Sequence, residues 1–134
     1  DYPIVFDTEY EPFNIGEEIE DPAKRRPIEE VRATNTAMIQ AALEVLEHEG
    51  YYAVLYCSRD FFLNYTDLSE LTDYDKWEAA YTSSDTDVVT NGIWQYSSKN
   101  ALRIAGFGNK LDCDVAYKDY PSIIRKAGLN GYTK

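Results

Sequence analysis

Pro3-Ile4-Val5-Phe6-Asp7-Thr8-Glu9-Tyr10 is an apolar run that ends in two carboxylates two residues apart. Side chains alternate faces along a strand, so Asp7 and Glu9 point the same way, about 7 Å apart along the backbone. That is working distance for a carboxylate pair. Ile4 and Phe6 fill one face, while Pro3 and Val5 precede the acids on the other. The pattern predicts a strand buried on both sides, with its carboxyl end emerging into a site, as parallel strands of α/β folds do. A strand edge whose two acids meet only solvent fits the spacing equally well.

Downstream, 11–27 is too charged and proline-punctuated for a regular element and reads as an exposed loop over the end of the first strand. From Ile28 the residues Val31, Met38, Ala42, Leu43, Val45 and Leu46 fall near a helical period, predicting a helix over 28–49 that stops at Gly50. His48, the only histidine, lies where it meets the helix carbonyl dipole rather than where a base is needed. The stretch 51–57 reads as a second strand, followed by Ser58 as a helix cap and a short aromatic helix or turn through Phe61, Phe62 and Tyr65. Strand, long helix, strand is a right-handed βαβ unit with parallel strands.

Further strands are expected over 76–81, 92–97 and 110–115, with only loops between them, among them a polar linker over 83–90. A last short helix over 121–127 is closed by Gly128. The first half of the chain therefore reads as βαβ and the second as strands without crossover helices. In the otherwise apolar third strand, Glu78 calls for an outward face or a link to a further segment.

Composition narrows the function. The 134 residues suit one domain, which at this size removes roughly two thirds of the unfolded surface from water. With 13 basic and 24 acidic residues the formal charge is −11, which argues against nucleic acid or an anionic membrane as partner. No apolar run approaches the ~20 residues of a membrane span, and the opening Asp-Tyr-Pro does not read as a signal peptide. Cys57 and Cys113 have no metal-site spacing and read as two buried thiols. No metal, nucleotide or redox cofactor is expected, since there is no glycine-rich phosphate loop and no His/Cys cluster. Twelve tyrosines, five phenylalanines and two tryptophans suit a sugar cleft, and an ordinary core as well.

Five stretches taken together resemble the family 25 glycoside hydrolases, the lysozymes or N-acetylmuramidases that include many phage endolysins. They are Pro3-Ile4-Val5-Phe6-Asp7-Thr8-Glu9; Gly50-Tyr51-Tyr52-Ala53-Val54-Leu55-Tyr56-Cys57-Ser58; Tyr74-Asp75-Lys76-Trp77-Glu78-Ala79-Ala80-Tyr81; Ile93-Trp94-Gln95-Tyr96-Ser97-Ser98; and Leu111-Asp112-Cys113-Asp114-Val115-Ala116-Tyr117-Lys118-Asp119-Tyr120-Pro121. The resemblance implies an α/β fold that is part of a modified TIM-like (β/α) barrel. The Asp-x-Glu strand is the family's fourth, so this chain would hold strands four to eight, and strands one to three would be absent from it. With them go the Asp that ends the first strand and the aromatic groups of the third. Five strands cannot close an eight-stranded barrel, so the missing amino-terminal half-barrel is expected from a longer parent, another chain or a swapped homo-oligomer partner.

The resemblance also implies chemistry. Glu9 would be the general acid, a role favoured by neighbouring negative charge. Asp7 would stabilise the oxocarbenium-like transition state or orient the substrate's 2-acetamido group, direct nucleophilic attack being the alternative. Asp112 would line the site, a strand-end carboxylate near Lys110 being the alternative, and Tyr56, Tyr81 and Gln95, near the carboxyl ends of their strands, would hold sugar rings and N-acetyl groups. Trp77 and Trp94 read as core, and Asp114, Asp119 and Tyr120 as turn and helix-start residues. The expected substrate is bacterial peptidoglycan, cut at the β-1,4 bond between N-acetylmuramic acid and N-acetylglucosamine, outside the cell or at the bacterial wall. The competing reading is a non-catalytic remnant or sugar-binding half-domain, inactive without the missing half.

Overall fold

A computed structural model describes residues 1–85 and 89–133, so residues 86–88 of the expected polar linker lie outside the described residues. Five strands form one sheet in sequence order: β1 (Ile4–Asp7), β2 (Ala53–Ser58), β3 (Asp75–Ala79), β4 (Ile93–Ser97) and β5 (Cys113–Ala116). The first four run parallel, and β5 returns antiparallel to β4 with an irregularity between Gln95 and Ser97. The third strand starts and ends earlier than its pattern suggests, and the fifth starts later, leaving residues 110–112 in the preceding loop.

The crossover between β1 and β2 is α1 (Ile28–His48), which begins after Pro27 with Glu29 and Glu30 in its first turn, where carboxylates favour the positive helix end. Its buried residues Val31, Asn35, Ile39 and Leu43 recur every fourth position and lay one stripe on the sheet. Gly50, at φ +82°, then turns the chain in the left-handed region that glycine adopts without strain. Helix α2 (Arg59–Tyr65) is capped by the Ser58 hydroxyl, which accepts from the Phe61 amide at 3.1 Å. Helix α3 (Tyr120–Ala127) is capped by Asp119, which accepts from the Ser122 amide at 3.2 Å.

The two sheet faces carry separate cores. Ala53, Leu55 and Cys57 face the helices and pack with Ile39, Leu43, Phe61, Phe62 and Leu71. Burying each of those phenylalanines contributes about 1.5–3 kcal/mol. Glu78 also lies on this outer side, fully buried, and is gripped by Arg59 through bonds of 2.7 and 2.9 Å. An unpaired carboxylate there would be costly, so the pair answers why an acid interrupts β3. On the inner face Val54 and Ile93 pack against Tyr120 and Ile124 of α3, which covers the amino ends of the strands.

The expectation that β1 is buried on both faces does not hold. Ile4 is 40% exposed, Val5 and Phe6 are half-buried and Asp7 is exposed, because β1 is an edge strand, flanked among the described residues by β2 alone. Both cysteines are free and buried.

Candidate active site

Register places the site. Asp7 pairs with Tyr56, Tyr56 with Trp77, Trp77 with Ile93, and Gln95 with Asp114. Because alternate residues share a face, Asp7, Tyr56, Trp77, Gln95 and Asp114 all project from the inner side of the sheet, toward the carboxyl ends of its parallel strands.

The centre of this row is an aromatic and amide grid. Gln95 is buried, and its side-chain carbonyl accepts from the Tyr56 hydroxyl at 3.0 Å and the Tyr81 hydroxyl at 2.9 Å. The Tyr56 ring meets the Trp77 ring edge-on at 5.3 Å, and the Trp77 indole donates to Asp114 at 2.8 Å. Tyr81, just beyond β3, remains 60% exposed and so offers a face to a ligand.

Carboxylates surround this grid. Burial first, then the charges of Tyr81, Glu9, Asp7 and Asp112, push the Tyr56 phenol up to about 12. Its hydroxyl is therefore a proton donor at neutral pH, and Glu9, Asp7 and Asp112 all lie within electrostatic reach of it. Burial raises the Asp7 carboxyl above the ordinary range. Asp114 is raised by burial and by Asp112, against the lowering effect of hydrogen bonds from Trp77 and Gln95. Among the described residues none of these four acids forms an ion pair.

The turn that presents Glu9 is held by two side-chain amides, one half-buried and one buried. Asn14 donates to the Glu9 carbonyl at 3.0 Å and the Thr8 hydroxyl at 3.3 Å. Asn35 of α1, itself fully buried, ties the Asn14 carbonyl and the Tyr65 carbonyl together at 2.8 Å each. Tyr10 crosses to the second strand, donating to Asp60 at 2.7 Å and meeting the Ser58 hydroxyl at 2.9 Å. A depression of about 410 Å³ lies there, between Tyr10, Ser58, Asp60, Ala80 and Thr82.

All six residues singled out by sequence fall at this end of the sheet. Two others join them. Asp114 lies in the strand expected over 110–115 rather than in a turn and accepts from the Trp77 indole, and Trp77 is half-buried, packed as expected on the Val54, Ile93 and Tyr120 core while its ring also meets Tyr56. Alternation from Asp112 through Asp114 was the available signal. Trp94 is half-buried on the outer side with its indole on the Ala80 carbonyl at 2.8 Å, and Asp119 and Tyr120 are helix-start residues as expected.

A larger cavity, about 850 Å³, lies elsewhere, at the amino ends of the strands beside Tyr52, Asp75, Lys76 and Lys118. Its buried charges are satisfied internally: Asp75 accepts from Tyr52, Tyr120 and Lys118, and Lys76 donates to the carbonyls of Leu71 and Tyr74. At the other end Asp7, Glu9, Asp112 and Asp114 cluster without an ion-pair partner among the described residues.

Carboxylates and aromatic hydroxyls gathered at the carboxyl ends of parallel strands are the arrangement found in the α/β-barrel class of folds. Residues 1–105 match the model of the glycosyl hydrolases family 25, and the chain belongs to that family. Two solved structures are similar in fold. A family 25 glycosyl hydrolase from Bacillus anthracis superposes with a TM-score of 0.62 at 20% identity, over 92% of this chain and 53% of that one. The CTP1L endolysin superposes with a TM-score of 0.55 at 19% identity, over 68% of this chain and 33% of that one. The chain thus spans about half and about a third of these two structures, and its sheet corresponds to part of a barrel. Among curated protein sequences none matches.

Proposed function

We propose that the site hydrolyses peptidoglycan, cutting the β-1,4 bond between N-acetylmuramic acid and N-acetylglucosamine. The observation that carries this reading is the set of carboxylates without cations around the Tyr56–Gln95–Tyr81 grid. Breaking a glycosidic bond requires an acid to protonate the leaving oxygen and negative charge to stabilise an oxocarbenium-like transition state. Glu9 gives its proton to the glycosidic oxygen. Asp7 stabilises the developing positive charge or orients the 2-acetamido group, and a water molecule completes the hydrolysis. Asp112 orients the sugar beside Glu9, while Tyr56, Tyr81 and Gln95 hold the ring and its N-acetyl group.

The other wall of the cleft comes from further strands added at the edge of β1, in a longer parent chain or a partner copy. Exposed Ile4 and the unpaired edge of β1 among the described residues support this. Similarity to an endolysin supports the bacterial cell wall as the place of action.

The test is release of reducing ends from purified peptidoglycan by the parent and by Glu9→Gln. Turnover lost in the variant, with binding and fold retained, is the expected result. Equal turnover by the two overturns the assignment of Glu9, and a folded parent without turnover favours a sugar-binding half-domain.

A further inference from the structure

The loop over 98–112, between β4 and β5, leaves the sheet at the same end as the site and returns to it at Asp112. Its residues 98–111 include Lys99, Arg103 and Lys110 and no acid, in a chain with 24 acidic residues. All three cations are exposed, and among the described residues none has an ion-pair partner. Elsewhere, every described basic residue except Lys126 is held by a carboxylate or, for Lys76, by carbonyls. Among the described residues the contrast sets this loop apart as a strip of unneutralised positive charge at the mouth of the cleft.

The loop is also built to hold its shape. Asn100 is buried; its amide nitrogen donates to the carbonyls of Ile104 at 2.9 Å and Gly108 at 2.7 Å, and its side-chain oxygen accepts from the Ile104 amide at 2.8 Å. The Asn100 backbone amide closes the loop on the Leu111 carbonyl at 2.8 Å. Around this staple Leu102, Ile104 and Phe107 stand 62%, 45% and 50% exposed. A fixed surface that interleaves cations with aliphatic and aromatic side chains complements a ligand carrying carboxylates on short apolar units.

We infer that this loop binds the peptide stems of the glycan strand, with Lys99, Arg103 and Lys110 pairing to stem carboxylates and Leu102, Ile104 and Phe107 packing on stem methyl and methylene groups. The inference rests on the peptidoglycan reading above. Its position beside Asp112 makes it a substrate-selecting surface: a strand lying in the cleft projects its stems onto the loop.

The test is binding rather than turnover, made in the Glu9→Gln background so that the polymer stays intact. Retention on purified peptidoglycan is compared with retention on the same glycan stripped of its stems by an amidase, and on phosphatidylglycerol vesicles. The triple substitution Lys99→Gln, Arg103→Gln, Lys110→Gln is set against Lys126→Gln, which removes an equally unpaired cation on α3. The triple variant should bind stem-bearing peptidoglycan about tenfold more weakly than the Lys126 variant, with the difference fading as salt rises. On stripped glycan the two should bind alike. Equal retention of the two on stem-bearing material, including none by either, overturns the inference. So does an equal loss on stripped glycan, and so does a loss confined to the vesicles, which would make the loop a lipid contact. Because no arm reads hydrolysis, failure of the muramidase assignment appears separately, as unchanged turnover in Glu9→Gln.

Discussion

The two ends of the sheet's inner face use the same vocabulary for opposite purposes. At the amino ends, Asp75 sits between Tyr52 and Tyr120, with hydroxyls at 3.1 and 2.8 Å and the Lys118 ammonium at 3.0 Å. At the carboxyl ends, two tyrosines converge instead on the neutral Gln95, and Asp7, Glu9, Asp112 and Asp114 remain without a cation. In the first arrangement the carboxylate's charge is answered within the fold; in the second it is left for something that arrives. Residue type alone does not separate these two kinds of aspartate, and the presence of an internal cation does.

This contrast predicts that substitutions at one end cost activity and at the other stability. The largest effect is expected from Glu9→Gln, a loss of about 10²–10⁴-fold in reducing-end release, the range for a general acid. Its midpoint of urea unfolding should match the parent's, since the Glu9 side chain forms no ion pair or hydrogen bond among the described residues. A shifted midpoint would make Glu9 part of the scaffold and weaken the contrast.

Gly92→Ala is the counterpart at the amino end. A Cβ there would lie 2.1 Å from the Tyr120 hydroxyl and 2.5 Å from an Asp75 oxygen, so the Asp75 cluster must move. Overpacking of this kind costs about 1–3 kcal/mol, read as a lower urea midpoint. Asp75→Asn should cost less, about 1–2 kcal/mol, because the amide keeps an acceptor for the tyrosines but loses the charge that holds Lys118. For both variants, turnover per folded molecule should stay near the parent's. A large loss of turnover with intact stability would place the amino-end cavity in the chemistry.

Much of this architecture is legible in the sequence because its signals are local. The apolar run into Asp7, the long periodic helix from Ile28 and the loops that replace later crossovers each follow from periodicity within a short window. What escaped depends on neighbours distant in the chain. Glu78 makes sense only once Arg59, across the next strand, is seen to clamp it. Asp114 reads as a turn acid until β5 pairs antiparallel to β4 and brings it against Trp77, 37 residues away. The exposure of β1 likewise depends on which strands flank it, and four residues of sequence carry no such information. The position of Asp7, Tyr56 and Gln95 near strand ends is legible because strand ends are themselves local; the hydrogen bonds that join Tyr56 and Tyr81 through Gln95 are not.

The smallest expected effect sharpens the comparison most. Burial raises the Asp7 carboxyl, and no cation offsets it. The native state then holds the Asp7 proton more tightly than the unfolded chain does, so Asp7 contributes stability at low pH that is lost as pH rises from the ordinary carboxylate value through the raised one. Asp7→Asn removes this titration. Unfolding free energies of parent and variant measured from acid to neutral pH should therefore diverge in the variant's favour as pH rises through that window, then run parallel. Because Asp7 is largely exposed, solvent screening keeps the divergence well below the cost of Asp75→Asn. The two aspartates should thus respond to the same chemical change with opposite signs at neutral pH. A destabilised Asp7→Asn would mean that Asp7 is answered within the fold as Asp75 is, and the distinction between the two ends would fail at its most exposed member.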